Sequence, residues 1–180
     1  MQNIPTYDFT SERLGFRNWH SSDLDNMFEL NQDKEVMKYF PTLQDRETTS
    51  TFIQRMQEQY LEYSYCYFAV EKLANKEFLG FIGISNQDYG EELGKFVDIG
   101  WRLKQTAWGN GYATEGAKEC LKWAKTTIGL TEIYAVAPAI NEPSIHVMRK
   151  IGMHPVKEFV HPKLLDYNKI KQCVLYQINL

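Results

Sequence analysis

Three apolar segments in the middle of the chain restrict its fold more than any other feature. They read YCYFAVE over residues 65–71, FLGFIGIS over 78–85 and FVDIGWRL over 96–103, and each has the composition of a β-strand. Only KLANKE and NQDYGEELGK separate them. Connections this short join neighbouring strands as antiparallel hairpins, because a parallel crossover needs about a dozen residues or more. We therefore predict an antiparallel sheet for this part of the chain.

On either side of these strands, apolar residues recur at helical spacing. Ser21 or Ser22 offers an N-cap before an apolar stripe, and Gly129 is placed to end a later helix. The predicted helices cover residues 24–30, 47–62, 112–127 and 144–151, and the predicted outer strands cover 13–17, 132–136 and 173–180. The order β-α-α-β-β-β-α-β-α-β-β predicts an α/β (α+β) fold with a mixed sheet and helices around it.

Length and charge limit the number of domains and the kind of partner. With 180 residues, 43% of them hydrophobic, the chain is long enough for one core and short for two. No linker or repeat divides it, so we predict a single domain over residues 1–180. The 20 Lys and Arg against 23 Asp and Glu give a net charge of −3, which lacks the positive field of nucleic-acid binders. We expect no nucleic acid as the main partner.

Cysteine spacing and hydropathy indicate the compartment. Cys66, Cys120 and Cys173 are far apart and odd in number, so they form neither a close-spaced metal motif nor a complete disulfide framework. The histidines show no ligand spacing, and we expect no metal. The N-terminus has no apolar core of signal-peptide length, and no segment approaches the roughly 20 apolar residues of a membrane span. A cytoplasmic protein without a membrane partner is predicted.

The segment TAWGNGYATEG, residues 106–116, places two glycines one residue apart before a predicted helix. The first N–H groups of a helix have no internal partner and carry a partial positive charge, so small residues there allow phosphate oxygens to approach. Gly109 and Gly111 permit that approach. Taken alone, two glycines more often form only a tight turn.

The residues around this glycine turn separate three kinds of phosphate site. A nucleotide-hydrolysing P-loop needs a wider glycine spacing followed by a lysine, whereas Tyr112 follows here. A dinucleotide fingerprint needs a third glycine where Thr114 stands. The third kind holds a diphosphate without cleaving it, as in binding coenzyme A, so backbone donors suffice. The turn contains no lysine or arginine, which favours the third kind.

Four segments carry a resemblance to a known family. They are SERLGFRNW at 11–19 followed by Asp23, EVMKYF at 35–40, VDIGWRLKQTAWGNGYATEGAKECLKWA at 97–124 and NEPSIHVMRKIGM at 141–153. Together they resemble the GNAT N-acetyltransferases, and within them the Rim-type branch, named for enzymes that acetylate the N-termini of ribosomal proteins. The resemblance runs along nearly the whole chain.

The resemblance implies a GNAT fold, whose mostly antiparallel central sheet has one splayed strand pair that receives the pantetheine arm of acetyl-CoA. It implies that Trp101, Arg102 and Leu103 line this gap. It implies that Asn141 and Ser144 touch the pantetheine. The turn implied to hold the diphosphate comprises Thr106, Trp108, Gly109, Asn110, Gly111, Tyr112 and Ala113.

Acetyl transfer to an amine needs a base, a donor to the thioester carbonyl and a proton for the departing thiolate. Asp98 is the candidate base, since it stands in an otherwise apolar strand and partial burial raises a carboxyl pKa. Two other interpretations stay open. In the first, Asp98 faces solvent; in the second, it pairs with Arg102, which strand alternation places on the same face.

Several residues near the predicted site have two interpretations. Ser144 is a candidate for contact with the reacting group and suits the N-cap of a short helix equally well. Trp108 is either a rim aromatic or a shield over the cofactor. Glu115 is expected to support the turn by hydrogen bonding. The aromatic residues between Tyr60 and Phe68 suit core packing better than an acceptor pocket.

Three positions depart from the pattern of the family. Met148 stands where many relatives have a tyrosine that protonates the thiolate, which leaves Ser144, another tyrosine or water for that role. Thr106 stands where arginine or glutamine is frequent, and Met153 where phenylalanine is usual.

These residues predict an acetyl-CoA-dependent N-acetyltransferase. A primary amine, at a protein or peptide N-terminus or on a small molecule, attacks the thioester directly in a ternary complex. Cys120 falls on an inward helix face and is not placed as a nucleophile. The alternative is a catalytically idle acyl-CoA-binding module, which the missing tyrosine at position 148 suggests. The slight acidity favours cationic acceptors, and a monomer or a homodimer is expected.

Overall fold

The computed structural model describes residues 7–91 and 93–180 of the chain. Its strands are β1 (Phe9–Thr10), β2 (Leu14–Arg17), β3 (Tyr67–Lys72), β4 (Phe78–Asp88), β5 (Lys95–Leu103), β6 (Glu132–Pro138), β7 (His154–Val160) and β8 (Gln172–Asn179). Its α-helices are α1 (Leu24–Gln32), α2 (Arg46–Tyr63), α3 (Tyr112–Trp123) and α4 (Glu142–Lys150).

The eight strands form one sheet in the order β1-β2-β3-β4-β5-β6-β8-β7. Every neighbouring pair is antiparallel except β5 and β6, which run parallel. The three middle segments pair in succession, as their short connections predict. The predicted mixed α/β sheet with flanking helices is therefore confirmed.

Local boundaries differ from the prediction where side-chain periodicity carries no signal. Strand β1 is only two residues long and pairs with β2 to form the first hairpin. The helix predicted over 112–127 leaves α geometry at Ala124 and continues as a π-turn to Ile128. Helix α4 begins at Glu142 because the preceding Asn141 caps it.

Two predictions extend beyond the described residues. The prediction that the N-terminus lacks a signal-peptide core depends partly on residues 1–6. The predicted connection between β4 and β5 includes Glu92. Residues 1–6 and Glu92 lie outside the described part of the chain. In the part that is described, no helix is both long and apolar enough to cross a membrane.

Helix α3 packs on one face of the sheet, and α1 and α2 pack on the other. On the first face, Gly116 of α3 lies so close to β4 that an added Cβ would come within 2.5 Å of the Ile82 side chain. On the second face, the ring of Phe52 from α2 lies 5.4 Å from that of Phe81 from β4. Alternation along β4 therefore directs Ile82 and Phe81 into two separate layers of core.

Gly83 allows β3 and β4 to approach closely. A Cβ at this position would lie 2.2 Å from the carbonyl oxygen of Cys66 and 2.6 Å from the backbone nitrogen of Phe68. Backbone atoms in a paired strand cannot move aside as a side chain can. We therefore expect Gly83→Ala to lower the free energy of unfolding by about 2–3 kcal/mol, measured by urea denaturation.

The matched control for this prediction is Gly94→Ala. Gly94 has a φ of 74° and open space around the position of a Cβ, so the substitution adds backbone strain without a clash. Its expected cost is about 1 kcal/mol. Equal losses for the two variants would contradict the assignment of the Gly83 effect to the close strand approach.

Strands β5 and β6 share a single register pair, Asp98 with Tyr134. Both strands run on beyond this pair without a further ladder between them. Trp101 pairs with Ile82 and so lies on the α3 side, whereas Arg102 pairs with Phe81 and lies on the side of α1 and α2. The sheet therefore opens into a gap whose two sides carry different side chains.

Candidate active site

A cavity of about 430 Å³ lies where β5 and β6 separate. Its walls come from the end of β5, the glycine turn with the start of α3, one face of α4, and residues 35–40 after α1. The predicted site residues that line it are Trp101, Arg102, Leu103, Trp108, Gly109, Gly111, Tyr112, Ala113, Asn141 and Ser144. Asp98, Thr106 and Asn110 are not part of its wall. The fold thus brings most of the predicted residues to one cavity.

The glycine turn leaves the N-terminus of α3 open to this cavity. Gly109 and Gly111 have φ values of 75° and 79°, in the left-handed region that glycine adopts without strain. Gly111 is the N-cap of α3, and no side chain of the described residues caps the first helical N–H groups. A Cβ placed on Gly109 would have no atom within 4 Å, so a ligand has room there. The geometry is that of an anion-binding helix N-terminus.

Thr106 and Asn110 shape the turn from outside the cavity. Thr106 is exposed on the 3-10 turn Gln105–Ala107. The side-chain amide of Asn110 donates to the carbonyl oxygens of Ala107 and Trp108, at 3.2 and 3.0 Å. The Asn110 side chain therefore supports the loop conformation.

Arg13 and Glu115 hold the turn against the first hairpin. Arg13 Nη2 donates to the carbonyl oxygen of Asn110 at 3.0 Å, and Arg13 Nε donates to Glu115 Oε2 at 2.7 Å. Ser11 Oγ donates to Glu115 Oε1 at 2.6 Å. The Arg13 guanidinium also lies 4.4 Å from the centre of the Tyr112 ring. The expected support by Glu115 is present, and Arg13 is the partner that the sequence did not single out.

We expect Arg13→Gln to weaken coenzyme A binding about three- to tenfold, because the turn loses both its outer hydrogen bond and the ion pair to Glu115. Calorimetric titration with coenzyme A measures this change. Arg46→Gln is the control, since Arg46 of α2 also forms an exposed ion pair, with Asp25 of α1. A similar weakening in both variants would show that the loss does not come from the turn.

Asp98 lies inside the protein beside the gap. It is only 5% exposed. Its Oδ1 accepts a hydrogen bond from the Tyr67 hydroxyl at 2.5 Å, and its Oδ2 accepts one from the Tyr89 hydroxyl at 3.1 Å. Burial raises the pKa of Asp98 to about 7, although both tyrosine hydrogen bonds oppose the shift. The solvent-facing interpretation of Asp98 is therefore wrong.

Asp98 and Arg102 do not pair, although they share a face of β5. Gly100 lies between them, and the ring of Tyr67 covers it so closely that an added Cβ would be 3.1 Å from ring atoms. Arg102 Nη1 instead donates to Asn31 Oδ1 at 2.7 Å. The pairing interpretation is therefore wrong, because an aromatic ring occupies the space between the two charges.

Asn141, not Ser144, caps α4. Asn141 Oδ1 accepts a hydrogen bond from the Ser144 N–H at 3.2 Å, so the capping interpretation of Ser144 is wrong. The Ser144 side chain lines the cavity instead. Met148 is 2% exposed in the core and cannot reach a ligand, whereas Tyr39 and Tyr112 both line the cavity. The hydroxyl-bearing residues in the cavity wall thus include Ser144 and Tyr39, whereas the Tyr112 ring lies against Arg13 and Lys72.

Aromatic residues divide between the cavity rim and the core. Trp108 is 45% exposed, lines the cavity and is fixed to β5 by a 3.0 Å hydrogen bond from its Nε1 to the carbonyl oxygen of Leu103. None of the aromatic residues from Tyr60 to Phe68 lines the cavity. Tyr39 and Phe40 do line it, and neither was singled out from the sequence because aromatic residues beside a helix usually indicate core.

An opened sheet, an uncapped helix N-terminus and a cavity joining them define a cleft for an extended ligand with an anionic end. Residues 13–154 match the family described as acetyltransferase (GNAT) domain. The chain is 30% identical over 145 residues to the protein YkkB of Bacillus subtilis (strain 168), covering 80% of this chain and 83% of that protein. The chain belongs to the GNAT acetyltransferase family and is an acetyl-CoA-dependent acyltransferase.

Solved structures share this fold. A GNAT-family acetyltransferase from Bacillus anthracis superposes with a TM-score of 0.76 at 27% identity, covering 94% of this chain and 96% of that chain. RimL, a ribosomal L7/L12 α-N-protein acetyltransferase solved with coenzyme A, superposes with a TM-score of 0.75 at 12% identity, covering 94% and 96% of the two chains. The second likeness is one of fold alone, so membership of the Rim-type branch stays a prediction.

Proposed function

We propose that this acetyltransferase transfers the acetyl group to a primary amine, which attacks the thioester directly in a ternary complex. The observation that carries this proposal is the shape of the cavity, which joins the open N-terminus of α3 to a gap accessible from the side of α1 and α2. In this reaction the amine nitrogen bonds to the acetyl carbon, the carbon–sulfur bond breaks, the nitrogen loses a proton to a base and the thiolate gains one.

Direct attack is supported by the state of the cysteines. Cys66, Cys120 and Cys173 are buried, and burial raises the pKa of each thiol. None of them lines the cavity. A thiol held neutral away from the cavity is a poor nucleophile, which argues against a covalent acetyl-enzyme.

We propose that acetyl-CoA, which supplies the acetyl thioester, binds along the cavity. The N–H groups at the start of α3 would bind the diphosphate, and the open space at Gly109 fits this group. Trp101, Leu103 and Asn141 would line the pantetheine arm. Within the described residues no three His, Cys, Asp or Glu side chains are grouped as a metal site.

We assign the role of general base to Asp98. A carboxyl with a pKa of about 7 is deprotonated in a large fraction of molecules at neutral pH and is still basic enough to accept a proton. Because Asp98 is not part of the cavity wall, the proton of the amine has to be relayed to it. For protonation of the thiolate the candidates in the cavity wall are Ser144 and Tyr39.

Thiol release from acetyl-CoA, followed against a panel of peptides and small primary amines, tests this proposal. Turnover that depends on the amine is the expected result. Acetyl-CoA binding at micromolar concentration without turnover on any amine would favour the idle acyl-CoA-binding module, which the buried Met148 still suggests.

A further inference from the structure

The positive charge of Arg102 has no negative partner in the described parts of the chain. Its one hydrogen bond to another described residue goes to the neutral side chain of Asn31. The rings of Phe40 and Phe81 lie 3.9 and 5.5 Å from the guanidinium carbon. The Nε atom of Arg102 is buried and has no hydrogen-bond partner among the described residues. A cation placed in this way costs free energy unless a ligand compensates it.

Arg102 is half-buried in the wall of the cavity. Burial lowers the pKa of its guanidinium to about 10, whereas hydrogen bonds to Asp23 and Glu71 raise the pKa of Arg17. The carboxylate on the same face, Asp98, accepts hydrogen bonds from Tyr67 and Tyr89. The Tyr67 ring separates it from Arg102. The protein therefore keeps an uncompensated charge in the wall of its cavity.

Arg102 faces the part of the cavity that the proposed cofactor position leaves for the acceptor. Its neighbours in β5, Trp101 and Leu103, point to the α3 side, where the diphosphate is assigned. Arg102 points to the opposite side, toward α1 and the segment that carries Phe40. The cavity wall also carries Lys38, but Lys38 forms an ion pair with Glu35 at 3.7 Å, so these two charges offset each other and the charge of Arg102 remains uncompensated on this side. This side of the cavity is therefore suited to an anionic group.

We propose that Arg102 binds a carboxylate of the acceptor, and that the acceptor class is a small primary amine bearing a carboxylate, that is, an amino acid. The inference rests on the proposed acetyl transfer at this cavity. A carboxylate neutralises the guanidinium and accepts charge-assisted hydrogen bonds from it. A polyamine places further positive charge beside Arg102, and a peptide N-terminus offers it only a neutral carbonyl oxygen.

This acceptor class differs from the cationic one that the net charge of −3 suggests. The net charge acts at long range and is screened beyond about 8–10 Å at physiological ionic strength. Arg102 lies in the cavity wall itself and acts on a bound ligand in a medium of low dielectric constant. The local charge therefore decides which acceptor binds, and the net charge affects only its approach.

The test compares matched acceptors that differ only in the carboxylate. Thiol release from acetyl-CoA is measured with five kinds of acceptor: amino acids, their carboxamides, the corresponding decarboxylated amines, short peptides and spermidine. For the preferred amino acid, kcat/KM is expected to exceed that of its carboxamide by about 10- to 100-fold. In Arg102→Gln this ratio is expected to fall to near one, mainly through a higher KM for the amino acid.

Lys104→Gln is the matched control, since Lys104 follows β5 directly but is not part of the cavity wall, so its ratio should equal that of the wild type. Coenzyme A binding is measured for each variant to separate a cofactor effect. Turnover with equal rates for acid and amide, a preference for polyamines or peptides, or a ratio that survives Arg102→Gln would overturn the inference. Absence of turnover on every amine would instead overturn the proposed acetyl transfer.

Discussion

Replacing Asp98 by asparagine is expected to lower kcat/KM for acetyl transfer by about a hundredfold or more, because an amide of the same shape cannot accept the proton of the amine. In the wild type, kcat/KM should fall as the pH drops below about 7, where Asp98 becomes protonated. The residual rate of Asp98→Asn should not show this step. Thiol release measured across neutral pH for both proteins tests the prediction.

Stability measurements distinguish this loss from damage to the fold. The pKa of Asp98 is about 7 in the folded protein against an ordinary value of 3.8, so the folded state binds this proton more tightly than the unfolded chain. The stabilising contribution of the proton is full below the ordinary value and is lost as the pH rises through 7. Asp98→Asn should therefore be at least as stable as the wild type above pH 7. Lower stability there, or a wild-type rate independent of pH, would contradict the assignment.

Introducing aspartate at Gly109 is expected to weaken coenzyme A binding by about 30- to 100-fold. The added carboxylate enters the open space beside the N-terminus of α3, where the diphosphate is assigned. Two like charges about 5 Å apart near a protein surface repel by about 2–3 kcal/mol, which corresponds to this loss. Calorimetric titration of each variant with coenzyme A measures it.

Two matched variants separate charge from shape at Gly109. Asparagine has nearly the same size as aspartate and also tolerates a left-handed backbone, so Gly109→Asn should weaken binding only a few-fold. Gly94 has a φ of 74°, close to the 75° of Gly109, and the same open surroundings, so Gly94→Asp should leave coenzyme A binding unchanged. Unchanged affinity in Gly109→Asp would remove the diphosphate from the turn.

Much of the fold follows from local sequence features. The short connections between the three middle strands require hairpins, and they pair as predicted. The two glycines of the turn adopt the left-handed conformation that makes glycine necessary there. Both conclusions depend only on residues that are near one another in the chain, which is why the sequence could support them.

The environment of the candidate base could not be predicted in the same way. Asp98 is held by Tyr67 and Tyr89, and Tyr67 reaches it only because Gly100 has no side chain and the register of β3, β4 and β5 aligns them. Strand alternation correctly placed Asp98 and Arg102 on one face. It could not show that a ring from another strand separates them, since that depends on packing between distant segments.

The single ladder pair between β5 and β6 has a consequence for backbone amides. On the side of β5 that faces β6, no strand covers the N–H groups beyond Asp98 in the described structure, whereas those facing β4 are paired. Uncovered amides exchange with deuterium without any local unfolding. A ligand that accepts hydrogen bonds from these amides should slow their exchange, so occupancy of the gap can be followed amide by amide along β5.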